Sequence, residues 1–317
     1  MFEQAGLASI TKRNLVVLVG LIAVYLLATT YPFERYTNGA TIRGGSAIFQ
    51  RPGLLQTQGP PTWLGEAISE KELTIDLRVE AFLSVQEGPA RIFTVSHDHF
   101  NSNITIGQDG QDLILRLRRS EDTLGLPPYV VPAVLRDAET RDIRVSIRRE
   151  TLRISVDDEL RLEEPLPAHA LTHWNPDFAL GLGNELTWER PWRGKILVAR
   201  VTTRSGSVDV LSPTITRVSG IRELARRRLV LVARSPVDAL VNLVAVIPLG
   251  ALTIRGLRRA RLTTVLMIWL PACLTAEFLQ ISIIGRFPSV SDCALNVLGA
   301  LIGARLWIGW PASRSRR

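Results

Sequence analysis

Seven residues in the last quarter of the chain carry groups that binding or acid–base chemistry uses. They are Asp238 and Asn242, Glu277 and Gln280, Arg286, and Asp292 and Asn296. Their spacing is regular. Asp-x-x-x-Asn occurs twice, and residues four apart share one face of a helix. A carboxylate can hold or take a proton, and an amide beside it can donate and accept at fixed angles. Asp238, Glu277 and Asp292 are therefore the catalytic or ligand-binding candidates. Arg286 would pair with an acid or an anionic headgroup, and Asn242, Gln280 and Asn296 would orient the set. All seven stand in or between strongly apolar runs. Polar groups in hydrocarbon are costly, and they face a bundle interior or a water-filled cavity. Two readings stay open here: a hydrogen-bond network that ties helices together, and a site that binds or reacts.

Those residues must be positioned by the apolar runs around them. The 317-residue chain is 46% hydrophobic. Its apolar residues gather in runs at Leu15–Thr30, Val237–Ile254, Leu262–Ile284 and Val290–Trp310. A helix needs roughly 17–25 residues to cross a bilayer. The net charge of +8 has a telling distribution. Residues 34–218 carry a net −3, and the remainder a net +11. A basic excess flanking apolar runs points to membrane topology rather than nucleic acid. Lys12 and Arg13 precede the first run; Arg255, Arg258, Arg259 and Arg261 lie between the second and third; Arg305, Arg314, Arg316 and Arg317 end the fourth. Four spans with both termini cytoplasmic satisfy the positive-inside rule, and residues 34–218 are then external. The second and fourth spans run inward and the third outward, so the seven polar residues meet near the external surface. The first run reads as an uncleaved span; a signal peptide cut near Ala28–Thr30 is the alternative, and its small-residue pattern is weak. Arg222, Arg226, Arg227, Arg228 and Arg234 form a basic linker, read either as an interfacial helix or as a solvated segment.

The external region has a different texture. Leu73, Ile75, Leu77 and Val79 alternate with polar residues, as do Leu113, Leu115 and Leu117, and Ile143, Val145 and Ile147. Period-two alternation predicts strands with one buried face, and "RRET" and "DDEL" read as hairpin turns. No segment here shows a helical period, so a two-sheet antiparallel sandwich is expected. Within it, His97, Asp98, His99, Asn101, Trp188 and Trp192 are the candidate ligand loop and stacking residues. The adjacent pairs Asp157–Asp158 and Glu163–Glu164 do not suit a glycosidase, because neighbours on a strand face opposite sides. Cys273 and Cys293 are the only cysteines. They offer no disulfide framework or metal spacing. No metal or other cofactor is expected, and a structural Ca²⁺ in the sandwich has no sequence support.

Two resemblances follow from these motifs. "RISVDDELRL" with "FALGLGNELTWERPWRGKILVARV" resembles the later strands of laminin-G / concanavalin A-like jelly rolls, carried by Val156, Asp157, Gly183, Asn184, Pro191, Trp192 and Gly194. Such domains bind sugars or protein ligands. The helical region resembles the VanZ-like membrane family through Asp238, Asn242, Pro248, Gly250, Glu277, Gln280, Arg286, Asp292, Asn296, Gly299 and Gly303. Gly299 and Gly303 make a G-x-x-x-G spacing suited to close helix packing. The resemblance implies a bacterial cytoplasmic (inner) membrane protein. It also implies a link to teicoplanin-type glycopeptide resistance, the association of the founding member.

The expected organisation is thus a multi-domain chain. A four-helix membrane domain carries a jelly roll inserted between its first and second helices. The boundaries are 1–33 for the N-terminus and first helix (about 14–30), 38–208 for the sandwich and 209–234 for the basic linker. Residues 235–310 hold the helices 237–254, 262–284 and 290–310, and 311–317 form a cytoplasmic tail. The expected partners are membrane lipids and a glycan or cell-envelope ligand, with no nucleic acid. The competing expectation is a non-enzymatic anchored adhesion or sensor protein whose polar cluster is structural.

Overall fold

The computed structural model describes residues 12–220, 236–257, 261–283, 286 and 288–309. The basic linker arginines 222–234, Arg258, Arg259 and the tail after 309 lie outside the described residues. The chain divides into two compact units, residues 1–35 with 228–317, and residues 36–227.

The larger unit is built from two antiparallel sheets. The first is ordered β1 (Ala40–Arg43), β2 (Ser46–Phe49), β13 (Gly194–Thr202), β4 (Leu73–Ala81), β9 (Thr140–Arg148), β10 (Thr151–Val156) and β11 (Glu159–Pro165), with β14 (Ser207–Asp209) on β13. The second is ordered β15 (Arg217–Val218), β3 (Leu55–Gln56), β12 (Ala179–Leu182), β5 (Gln86–Asp98), β6 (Asn101–Gly110), β7 (Asp112–Leu117) and β8 (Tyr129–Val131). The alternation in β4 is carried through into burial: Leu73, Ile75, Leu77 and Val79 are all buried in the core between the sheets. The β9–β10 and β10–β11 turns place Arg149–Glu150 and Asp157–Asp158 at positive φ, the geometry of two-residue hairpins that match strand twist. Asp157 also accepts the Asp142 backbone N–H at 2.9 Å, which fixes the turn against the neighbouring strand β9.

The region also holds a helix that the alternation gives no sign of, α2 (Trp63–Glu70). It follows Pro60-Pro61-Thr62 and buries Trp63, Leu64 and Ala67. With eight residues, its apolar face is too short to stand out as a period.

The smaller unit holds α1 (Lys12–Thr30), α3 (Pro236–Gly256), α4 (Leu262–Gln280) and α5 (Val290–Gly309). The last three are long and apolar enough to cross a membrane; the apolar part of α1, Asn14–Thr30, is shorter. Together with α2, five α-helices are present among the described residues. A small core joins Tyr25 on α1, Trp269 and Cys273 on α4, and Cys293 and Ala300 on α5. Tyr25 meets Trp269 edge-on at 5.4 Å, and the Trp269 indole N–H donates to Thr253 Oγ1 at 3.1 Å.

The α3–α5 crossing is made by small residues. A Cβ at Gly303 would lie 1.8 Å from Ile247 O, at Gly299 2.1 Å from Leu243 O, and at Gly250 1.9 Å from Ala300 O. Leu243 faces Gly299 and Ile247 faces Gly303, so the two helices run parallel and bring their acidic N-terminal turns to the same end. Without water to drive apolar burial, such close backbone approach is what holds membrane helices together.

Candidate functional site

The parallel α3–α5 pair sets Asp238 and Asp292, each in a first helical turn, side by side. The α4 helix runs the other way, and its last turns bring Glu277 and Gln280 to the same end. The C-terminal part of α1 arrives there too. Arg255 and Trp307, which stack at 5.6 Å, mark the opposite end.

Between these helix ends lies a cavity of about 570 Å³. Asp238, Asn242, Glu277, Gln280, Arg286, Asp292 and Asn296 all line it. The geometry ties each side chain to an element. Glu277 is 8% exposed and accepts the Ser289 backbone N–H at 2.7 Å through Oε2. Gln280 donates to Thr29 O at 3.1 Å, and Asn296 donates to the Tyr25 hydroxyl at 3.1 Å. Arg286 donates through Nε to Tyr31 O at 2.9 Å. Asn242 on the neighbouring helix lines the cavity with Asp292. Asp292 Oδ1 is buried with no hydrogen-bond partner among the described residues. Buried acceptors are normally satisfied, so this one invites a ligand or water.

Three polar wall residues, Tyr25, Thr29 and Ser289, gave no clear signal as site residues in the sequence. A hydroxyl in an apolar helix satisfies itself on the preceding turn and looks ordinary in sequence. Thr29 does so here, donating to Tyr25 O at 2.9 Å. Tyr25 had one available signal: it is the single aromatic residue in the first apolar run.

In the sandwich the candidate loop is the β5–β6 hairpin. Burial works against the charged form of Asp98. The His97 ring, the Phe100 N–H and Asn101 outweigh it and bring the carboxyl down to about 2. Asp98 accepts the Phe100 and Asn101 backbone N–H groups at 2.8 and 3.0 Å, so it closes the turn from within. His99 Nδ1 lies 2.5 Å from Glu189 Oε2, and its ring is tilted against Phe100. The His97 side chain is 59% exposed. Trp188 is buried with Leu54, Ala179 and Leu186. Trp192 is buried in the main core, with its N–H on Gln108 Oε1 at 3.0 Å. Neither indole offers a face for a sugar to stack on.

A buried ion pair went unread in the sequence. Arg91 on β5 and Glu185 in the loop after β12 are 1% and 0% exposed, with Nε to Oε2 at 3.2 Å. Ser96 Oγ and the Leu186 N–H both donate to Glu185 Oε1. Burial pushes the Arg91 guanidinium below its ordinary range, and Glu185 pulls it back.

No curated protein matches the chain. Among solved structures, the sandwich is similar to a carbohydrate-binding domain of a Ruminococcus gnavus sialidase, with 12% identity over 46% of this chain and 85% of that chain, TM-score 0.36. It is also similar to domains LG4-5 of the mouse laminin alpha1 chain, with 16% identity over 56% of this chain and 48% of that chain, TM-score 0.35. Domain 4 of a Geobacillus stearothermophilus extracellular arabinanase is a third, with 12% identity over 55% and 78%, TM-score 0.36. The VanZ/LLP1 family model matches residues 196–311. The three long apolar helices that wall the cavity fall within that span. This part of the chain is a VanZ-like domain.

Proposed function

We propose that the protein is a bacterial inner-membrane protein whose polar cavity binds or acts on a cell-envelope component in the outer leaflet. The observation that carries this is the cavity itself. It gathers three acids, an arginine and three amides at one end of the helical unit, with room left over. In this reading α1 is a fourth span, both termini are cytoplasmic and the sandwich is inserted after α1 on the external side. The basic residues Arg255 and Arg261, at the end away from the cavity, support that orientation.

The sandwich recognises a glycan or an envelope protein, as the jelly rolls it resembles do, through its exposed loops rather than its tryptophans. Glycan-array binding by the full chain tests this, and a blank array removes it. The resemblance extends the proposal to teicoplanin-type resistance, with susceptibility on gene deletion as the readout. No enzymatic activity is assigned.

Topology has a direct test in a Cys273→Ser, Cys293→Ser background on intact cells. Cysteines replacing Asp109 and Asp238 should react with a membrane-impermeant maleimide, and one replacing Arg258 should not. The reverse pattern would sink the orientation.

A further inference from the structure

The cavity is polar only at one end. Asp238 and Asn242 on α3 stand at its mouth, and the same helix then lines it with Val241, Ala245, Val246 and Leu249. From Asp238 to Leu249 is eleven residues, or about 16 Å at 1.5 Å per residue. The facing wall of α1 is Val24 and Ala28 beside Tyr25 and Thr29. Val24 and Val241 are both more than half exposed, so the apolar part opens sideways between α1 and α3. A cavity for a free polar solute has no use for an apolar trough that opens into lipid. An amphiphile fits both parts, with its head among the acids and one chain along the trough.

The head chemistry follows from the wall. Asp238, Glu277 and Asp292 face one lining cation, Arg286, among the described residues. Glu277 is nine-tenths buried and receives one protein donor, and Asp292 Oδ1 receives none. Both lack hydrogen-bond donors rather than acceptors. Bare positive charge answers only part of this need; a group with several N–H donors answers all of it.

We infer that the cavity holds a membrane amphiphile with a primary amine in its head group and a single chain lying between α1 and α3. This rests on the reading of the cavity as a ligand site. The amine donates to Asp292 and Glu277 at the mouth, and Arg286 takes the phosphate or carbonyl oxygens of the same head.

The test uses the full chain reconstituted in nanodiscs with equal parts of phosphatidylethanolamine, phosphatidylglycerol and phosphatidylcholine. The protein is then extracted in detergent and its retained lipid weighed by native mass spectrometry. Phosphatidylethanolamine should be retained about ten-fold over either other lipid, the scale of one charge-assisted hydrogen bond. Asp292→Asn should erase most of that preference. Asp238→Asn, at an exposed position, should weaken it in the same direction. Val241→Trp and Ala245→Trp, which fill the trough from the lipid side, should abolish retention of every lipid. Phosphatidylglycerol or phosphatidylcholine retained as strongly as phosphatidylethanolamine would overturn the inference while leaving a ligand site. Retention that both tryptophan variants leave unchanged would place the lipid elsewhere and overturn it too. A protein that retains no lipid at all would remove the ligand reading along with the inference.

Discussion

Gly303→Val is expected to disassemble the helical unit. Even a Cβ at that position would sit 1.8 Å from the Ile247 carbonyl oxygen, and the obstacle is backbone, which has no rotamer to escape into. Leu243 O stands against Gly299 in the same way one turn earlier. The α3 and α5 helices must therefore separate along their whole contact. Overpacking in an ordinary core costs about 1–3 kcal/mol, and an obstacle of rigid backbone should exceed that range. Detergent-solubilised Gly303→Val should lose its monodisperse peak in size-exclusion chromatography. Gly20→Ala is the control, since a Cβ at Gly20 meets nothing within 4 Å. It should behave as wild type or slightly better, because alanine favours helix by about 1 kcal/mol over glycine. A well-behaved Gly303→Val protein would show that the crossing is looser than described.

Glu185→Ala should destabilise the sandwich by about 3–5 kcal/mol, the cost of stranding a buried charge. Arg91 and Glu185 are both almost fully enclosed, and Glu185 takes three donors in all. Removing the carboxylate leaves a guanidinium with no counter-charge and orphans the Ser96 hydroxyl. The double variant Arg91→Met, Glu185→Leu should recover most of the loss, because a buried ion pair contributes little net stability over apolar residues of similar size. Pulse proteolysis of the full chain in urea reads the midpoint of the sandwich. Equal midpoints for Glu185→Ala and wild type would contradict the buried pair.

Periodicity exposed the parts of this protein that periodicity builds. Alternating Leu73, Ile75, Leu77 and Val79 could only be a strand with one buried face, and the observed core uses that face. The two Asp-x-x-x-Asn motifs pointed to one helix face each, and both line the same cavity. Distance in sequence hid the rest. Arg91 and Glu185 are 94 residues apart and carry no local pattern. Tyr25 reaches Asn296 across 271 residues, and its hydroxyl is one polar atom in an apolar run. Trp188 and Trp192 lie among polar and proline residues, which suits an exposed loop, yet the chain folds inward there. Side-chain burial in a loop depends on what packs over it, and local sequence does not encode that. The α2 helix was hidden for the opposite reason, having too few residues to establish a period.

In the proposed function the polar cavity holds a ligand and is more than a tie between helices. Glu277→Gln separates the two, because glutamine keeps the shape and can still accept the Ser289 N–H. Thermal unfolding and co-purified amphiphile should be measured on the same full-length preparation. A ligand site should give a melting temperature within about 3 °C of wild type, equivalent to roughly 1 kcal/mol, and loss of the bound amphiphile. A sharply lower melting temperature with the amphiphile still bound would contradict it, and would leave Glu277 as a strut between α4 and α5.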